Sequence, residues 1–303
     1  MLLIGVATFM ACKAQTPKYI EIYSQFRDCI GDQIIYSQFD PEEAGEYPAY
    51  NLIAIDTQSG VRDTILQNSI YWAYANGNNS KILVSDGIDI FNYNLETHQK
   101  TVLYSLQNKE SQISKIIEAN NLIYFIELDY GQDLFYFNVL NNGCKHNIYS
   151  APFSEYSYEQ TFLKLVDKKL VCQFQFYLCF FDLEENLMNV ISTTVDDVAV
   201  TNTSIIYSYI NHNYDPIKKT IGEYDLNNNT KTEFKDLPFI PVYKGLYSRQ
   251  INGINQVYYY EGMDLYLYNS PTWVQENKDD FLIFKNRKIE VFLHNDVFYF
   301  KNI

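Results

Sequence analysis

Residues 1–10 (MLLIGVATFM) form an apolar run of about half the length a bilayer-spanning helix needs, and no later run is longer and as apolar. No stretch keeps a helical hydrophobic period either, which argues against an α-rich fold. Histidine is scarce. His98, His146, His212 and His294 stand at unrelated places, and no Cys-x-x-Cys accompanies them, so nothing reads as a zinc site. A Gly-rich phosphate loop and a Gly-x-Ser-x-Gly elbow are both missing. Asp129 with Asp133, and Glu42, Glu43 and Glu46, are acids close in sequence, but they lack the alternating Asp-x-Asp-x-Asp-Gly order of a calcium loop. Acids are abundant enough for a glycosidase-type carboxylate pair, yet no spacing singles one out. No catalytic residue, metal or cofactor is assigned. Positive charge is also in deficit: 23 Lys and Arg face 37 Asp and Glu, for a net charge of −14. Such a chain repels phosphate backbones and disfavours nucleic acid as a partner. It stays soluble, or it steers a basic partner.

What the chain has in plenty is aromatic residues, 28 Tyr and 20 Phe, and a repeat. An apolar or aromatic residue followed by a polar one recurs as Ile55-Asp56, Tyr93-Asn94, Phe137-Asn138, Phe181-Asp182, Tyr224-Asp225, Tyr268-Asn269 and Phe300-Lys301. The second members are 38, 44, 44, 43, 44 and 32 residues apart. Each pair closes a short β-rich run, such as Asp89-Ile-Phe-Asn-Tyr93, and most precede a tight polar turn, such as Asp225-Leu-Asn-Asn-Asn229. A period near 44 with strand patterning means one four-stranded antiparallel sheet per repeat, the mark of a β-propeller. The expected fold is all-β, with seven blades in one domain over residues 17–303. Tyr and Phe suit strands buried on both faces, so most of the aromatic excess is assigned to the core.

The seventh unit ends at the chain terminus, one strand short. Residues 17–24 are therefore expected to supply the missing outer strand and close the ring by joining the two terminal segments, since an open ring leaves a sheet edge bare. If Tyr19-Ile-Glu-Ile22 is instead the innermost strand of the first blade, the last blade has three strands. The repeat lacks the Gly-His and Trp-Asp pair of WD repeats, the Gly-Gly of kelch and the Asp-box of sialidases. Its apolar-x-aromatic-Asp-Leu hairpin resembles the YncE- and TolB-type propellers of bacterial envelopes, and that resemblance implies an envelope protein.

The N-terminal run precedes Ala11-Cys12-Lys13-Ala14-Gln15. Two processing readings stay open: signal-peptidase cleavage after Ala14, making residues 1–14 a signal peptide, or a lipobox that makes Cys12 the lipidated first residue, with membrane contact only through that lipid. Both imply export to the periplasm or the outer membrane. Cys29, Cys144, Cys172 and Cys179 remain. Cys172 and Cys179 sit symmetrically on a hairpin and are expected to face each other, as a disulfide or as buried thiols.

The long, irregular loops fall on one face of the expected ring. They contribute Asp40, Glu42, Glu43, Glu46, Tyr47 and Tyr50; Asp129, Tyr130 and Asp133; Glu155, Tyr156 and Tyr158; and Tyr214 with Asp215. Insertions on one face of a repeat scaffold mark a binding face. Acids with tyrosines there point to a protein partner, a basic one such as an effector toxin or an envelope protein. The rival expectation is a glycan-binding or glycan-active lipoprotein, in which tyrosines stack on sugars. If the export reading is right, mass spectrometry of protein from its native host finds a chain beginning at Cys12 or Gln15. An intact Met1 on cytoplasmic material refutes it.

Overall fold

The structure is a computed structural model. It describes residues 18–19, 24–39, 49–69, 73–75, 80–152, 161–211, 218–234, 246–261, 264–269, 272–276, 281–294 and 297–303. These residues form strands and turns with no helix, arranged as seven four-stranded antiparallel blades. A short strand, β1 (Lys18–Tyr19), comes first. Blade one is β2 (Ser24–Ile30), β3 (Gln33–Phe39), β4 (Tyr50–Asp56) and β5 (Arg62–Ser69). Blade two is β6 (Ala73–Ala75), β7 (Lys81–Ser85), β8 (Asp89–Asn94) and β9 (Lys100–Ser105). Blade three is β10 (Ser111–Ala119), β11 (Leu122–Asp129), β12 (Leu134–Asn141) and β13 (Cys144–Pro152). Blade four is β14 (Thr161–Val166), β15 (Lys169–Phe174), β16 (Tyr177–Asp182) and β17 (Leu187–Ser192). Blade five is β18 (Asp197–Val200), β19 (Ser204–Asn211), β20 (Lys218–Asp225) and β21 (Thr230–Phe234). Blade six is β22 (Tyr247–Ile251), β23 (Ile254–Glu261), β24 (Asp264–Asn269) and β25 (Thr272–Glu276). Blade seven is β26 (Phe281–Lys285), β27 (Ile289–His294) and β28 (Val297–Asn302), completed by β1.

The closing strand comes from the N-terminus, as expected: Lys18 pairs with Phe300 and Tyr19 with Tyr299. The assignment of Tyr19 to the innermost strand of blade one is thereby corrected. That strand is β2, whose polar SQFRDCI sequence hid it. The inner strands of blades six and seven also touch directly, through the parallel pairs Gln250–Phe284 and Ile251–Lys285.

The two middle strands of a blade are covered on both faces, so residues 34–36, 82–84 and 205–207 are apolar without alternation and fully buried. Outer strands such as β9 and β13 face water and read polar. Six apolar clusters fill the interfaces around the ring. One of them spans blades six, seven and one, with Tyr258, Phe284, Phe300, Ile34 and Ile53. Others join blades three and four through Phe137, Phe174 and Phe181, and blades four and five through Val171, Phe180 and Tyr207.

The recurring polar residue has a defined task. Asp56, Asn94, Asp182 and Asp225 each accept the backbone N–H groups two and three residues on, capping the turn from the third to the fourth strand. Blade three departs from this. Asn138 lies inside β12, buried, and donates to Glu127 Oε2 at 2.8 Å, while the turn there is Asn142-Gly143, both with positive φ. Its unit therefore does not close a strand, contrary to the sequence reading.

Cys172 and Cys179 are directly opposed on β15 and β16, and both are buried free thiols. In blade five Tyr207 is fully buried over Gly222, its partner on β20. No atom of the described residues hydrogen-bonds its hydroxyl. A Cβ at Gly222 would occupy the space of the Tyr207 ring. Gly222→Ala is therefore expected to destabilise the fold by about 1–3 kcal/mol through overpacking, whereas Tyr207→Phe, which removes an unpartnered hydroxyl, is expected to be neutral or stabilising. Urea denaturation of the two variants checks the pair.

Candidate partner-binding face

Chain direction alternates within each blade, so the links from second to third strand and from blade to blade share one face. The other two links share the opposite one. On the opposite face the links are short. Ala119-Asn120-Asn121-Leu122 and Ile251-Asn252-Gly253-Ile254 are two-residue hairpin turns with positive φ at both central residues.

On the first face the described turns are held by the segments that enter or leave the blade. In blade two, Asp86 Oδ1 accepts the N–H groups of Ile88 (3.2 Å) and Asp89 (2.8 Å). The turn carbonyls of Ile88 and Gly87 accept Leu106 N–H (3.0 Å) and Ile113 N–H (2.8 Å). In blade three, Tyr130 N–H donates to Glu110 O at 2.9 Å, and Tyr130 Oη donates to Gln112 Oε1 at 2.9 Å. In blade four, Val195 N–H donates to Phe176 O at 2.9 Å, and Gln173 Nε2 bridges the carbonyls of Gln175 and Asp196. These bonds fix the turn backbones. They also leave two large apolar side chains in water at the turn apices: Ile88 is 58% exposed and Phe176 43%.

The predicted contact residues separate into three groups. Asp129 is 2% exposed and wholly engaged. Its Oδ1 accepts Gly131 and Gln132 N–H, and its Oδ2 accepts Gln132 Nε2 (2.9 Å) and Asn108 Nδ2 (3.2 Å). It builds the loop and does not face outward. Tyr130 is half-buried beside it, and Asp133 is exposed with a positive φ. Tyr50, the first residue of β4, is half-buried, with its ring tilted against Phe39 at 5.8 Å. Asp40, Glu42, Glu43, Glu46, Tyr47, Glu155, Tyr156, Tyr158, Tyr214, Asp215 and Cys12 lie outside the described residues, as do residues 70–72, expected as an inner strand. Ile88 and Phe176 were not singled out from the sequence. The signal was present, since a bulky apolar residue in a two- or three-residue turn replaces the usual Asn, Asp or Gly.

The described part of this face is acidic. Glu110 and Asp133 are exposed and Asp86, Asp89, Asp196 and Asp197 half-buried, against Lys109 and against Lys100, whose Nζ lies 3.3 Å from Asp86 Oδ2. Among the described residues no three His, Cys, Asp or Glu side chains converge as a metal set.

No family model and no curated protein matches the sequence. Solved structures do match in fold. An oligogalacturonate lyase in complex with manganese superposes with a TM-score of 0.61 at 10% identity, covering 95% of this chain and 96% of that one. The β-propeller domain of the Trilobed protease from Pyrococcus furiosus, described as having an open velcro topology, gives 0.55 at 10% identity, covering 93% and 95%. A chain of a mitotic checkpoint complex gives 0.55 at 10% identity, covering 100% and 99%. At such identities the likeness is one of fold, and it is to β-propellers.

Asp129→Ala is expected to cost about 1–3 kcal/mol, because it removes the buried carboxylate that four donors of Asn108, Gly131 and Gln132 share, while exposed Asp133→Ala stays within about 0.5 kcal/mol. Chemical denaturation of the two variants measures the difference.

Proposed function

We propose that this chain is an exported, non-enzymatic β-propeller that binds a basic protein partner through the acidic face described above. In its specific form it is an immunity protein that neutralises an antibacterial effector acting in the periplasm. One observation carries this reading: hydrogen-bonded turns hold Ile88, Tyr130 and Phe176 on a rim of carboxylates. Preorganised apolar anchors ringed by charge make little entropy loss on docking, and the charge steers encounter. In this reading Glu42, Glu43, Glu46, Tyr47, Tyr156 and Tyr214, which lie outside the described residues, add their acids and rings to the same face. Export rests on the N-terminal run, with Cys12 as the lipid attachment point if the lipobox reading is right.

The second reading is a glycan-binding or glycan-active envelope lipoprotein. It draws on the tyrosines of the loops and on one similar fold belonging to a protein described as an oligogalacturonate lyase.

Affinity capture from the native envelope, followed by kinetics on the purified pair, separates the two. With a basic effector as partner, Glu42→Lys, Glu43→Lys and Glu46→Lys together slow association, most strongly at low salt. Tyr47→Ala, Tyr156→Ala, Tyr214→Ala or Phe176→Ala instead speeds dissociation, by roughly 1–3 kcal/mol for each that is an anchor. Kinetics indifferent to all these changes overturn the assignment of the face. Recovery of an oligosaccharide without a protein supports the second reading.

A further inference from the structure

The base of the ring, the face opposite the loops, is not uniform in charge. In blade seven it carries the hairpin turn Lys285-Asn286-Arg287-Lys288, with Lys301 at the end of the neighbouring strand β28. Arg287, Lys288 and Lys301 are exposed. Two acids answer these cations. Glu290 holds Lys285 Nζ at 2.6 Å and Lys301 Nζ at 2.7 Å, and Asp32 of blade one holds Lys288 Nζ at 2.8 Å. Four cationic side chains against two acidic ones make this edge positive in a chain of net charge −14. Across the ring the sign reverses. The base of blade four presents Asp167, Asp182, Glu184 and Glu185 against Lys168 and Lys169.

The cationic turn is fixed by its own bonds and by both neighbouring blades. Asn286 Oδ1 accepts the N–H groups of Lys288 (2.8 Å) and Ile289 (2.9 Å). Lys285 O accepts Asn252 N–H of blade six at 2.7 Å, and Asn302 Nδ2 reaches Thr57 O of blade one at 3.2 Å. Each of these three blades also leaves one bulky apolar side chain in water at the base: Val61 is 63% exposed, Ile254 56% and Ile303 65%. Exposed apolar side chains beside cations suit a lipid headgroup layer, which accepts the first and attracts the second.

The direction of β1 supplies the independent observation. Strand β28 runs towards the base, where Ile303 bonds to the Lys288 turn. Since β1 is antiparallel to it, with Lys18 opposite Phe300 and Tyr19 opposite Tyr299, β1 begins at the base of blade seven and runs away from it. The chain before Lys18 therefore arrives at the cationic edge. Cys12 stands six positions earlier, a reach of at most about 20 Å of extended chain. Lys13 and Lys18 add two more basic residues to this stretch of sequence.

We propose that the base of blade seven docks on an anionic bilayer surface when Cys12 carries its lipid, with Arg287 and Lys288 as the main contacts, so that the acidic loop face is turned away from the membrane. The use of this contact rests on the lipobox reading of Cys12; the contact itself does not need the lipid. A screening length of about 8 Å decides which charges count. The cations at the contact feel the lipid charge, whereas the acids of blade four, across the ring, and those of the loop face are screened from it. A tether of this length also holds the edge near the bilayer, so a few cations suffice where free protein would not be retained.

Vesicle binding tests the proposal. Residues 12–303, with a hexahistidine tag in place of residues 1–11, are bound to vesicles carrying a trace of nickel-chelating lipid, which supplies the tether whatever the state of Cys12 in the native host. Exchanging phosphatidylcholine for about 30% phosphatidylglycerol is expected to tighten binding about fivefold or more, a gain that fades as salt rises. Arg287→Glu with Lys288→Glu removes the gain. Arg287→Gln alone lowers it by about half or more and leaves the melting temperature unchanged. Lys168→Glu with Lys231→Glu makes the same change of charge at the base of blades four and five and leaves the gain intact. Equal binding to the two kinds of vesicle overturns the proposal. So does a gain that Arg287→Glu with Lys288→Glu spares, or one that the control pair also removes. The N-terminal mass of the native protein judges the anchor separately, so failure of the contact and failure of the lipobox reading are told apart.

Discussion

The fold depends on a clip at the base of its blades. The polar member of the repeated pair caps its own turn, and the next residue then donates its N–H to the carbonyl of the neighbouring turn. This holds for Thr57 to Asp32, Leu95 to Ser80, Leu183 to Lys168 and Leu226 to Thr203, at 2.7 to 3.0 Å, and in blade seven Ile303, two residues beyond the pair, donates to Lys288 at 2.7 Å. Each such bond is worth about 1 kcal/mol net. Its larger effect is geometric, because it ties the two hairpins of a blade together and ends all four strands at one level. The clipping residue also buries its side chain, as Thr57, Leu95 and Leu226 do. A base fixed in this way leaves length variation to the opposite face, where the links between strands such as β3 and β4 run to ten residues.

Between blades the same position does a second task. At two of the three positions where the apolar member is Tyr, its hydroxyl crosses to the preceding blade, while the ring of Tyr224 lies 5.9 Å from that of Phe180. Tyr93 Oη donates to Asp63 at 2.6 Å, and Tyr268 Oη to Glu223 at 2.5 Å. When it is Phe, as at Phe137 and Phe181, the contact is aromatic, with centroids 6.0 Å apart. The exception in blade three follows from the same economy of buried groups. Glu127 is buried on β11, and Asn138 and Lys145 both donate to it, at 2.8 and 2.9 Å. With the amide of Asn138 so engaged, the turn moves three residues on to an Asn-Gly that needs no side-chain cap. Ring closure combines all three devices: β1 against β28, the shared core of blades six, seven and one, and the bonds Asn302 Nδ2 to Thr57 O and Lys288 Nζ to Asp32.

The parts of this architecture legible in the sequence are those fixed by local chemistry. Asp56, Asn94, Asp182 and Asp225 repeat because a tight turn needs an acceptor at its first position, so period, blade number and the closing segment could all be read. The middle strands could be read because burial on both faces makes them apolar. The inner strands could not. β2 and β22 look polar because their side chains meet water at the axis, so Tyr19-Ile-Glu-Ile22 seemed the better strand. Reading the binding face had a similar limit. Loop composition picks out acids and tyrosines but cannot separate Asp133, which is exposed, from Asp129 four residues earlier, whose carboxylate is consumed by its own turn.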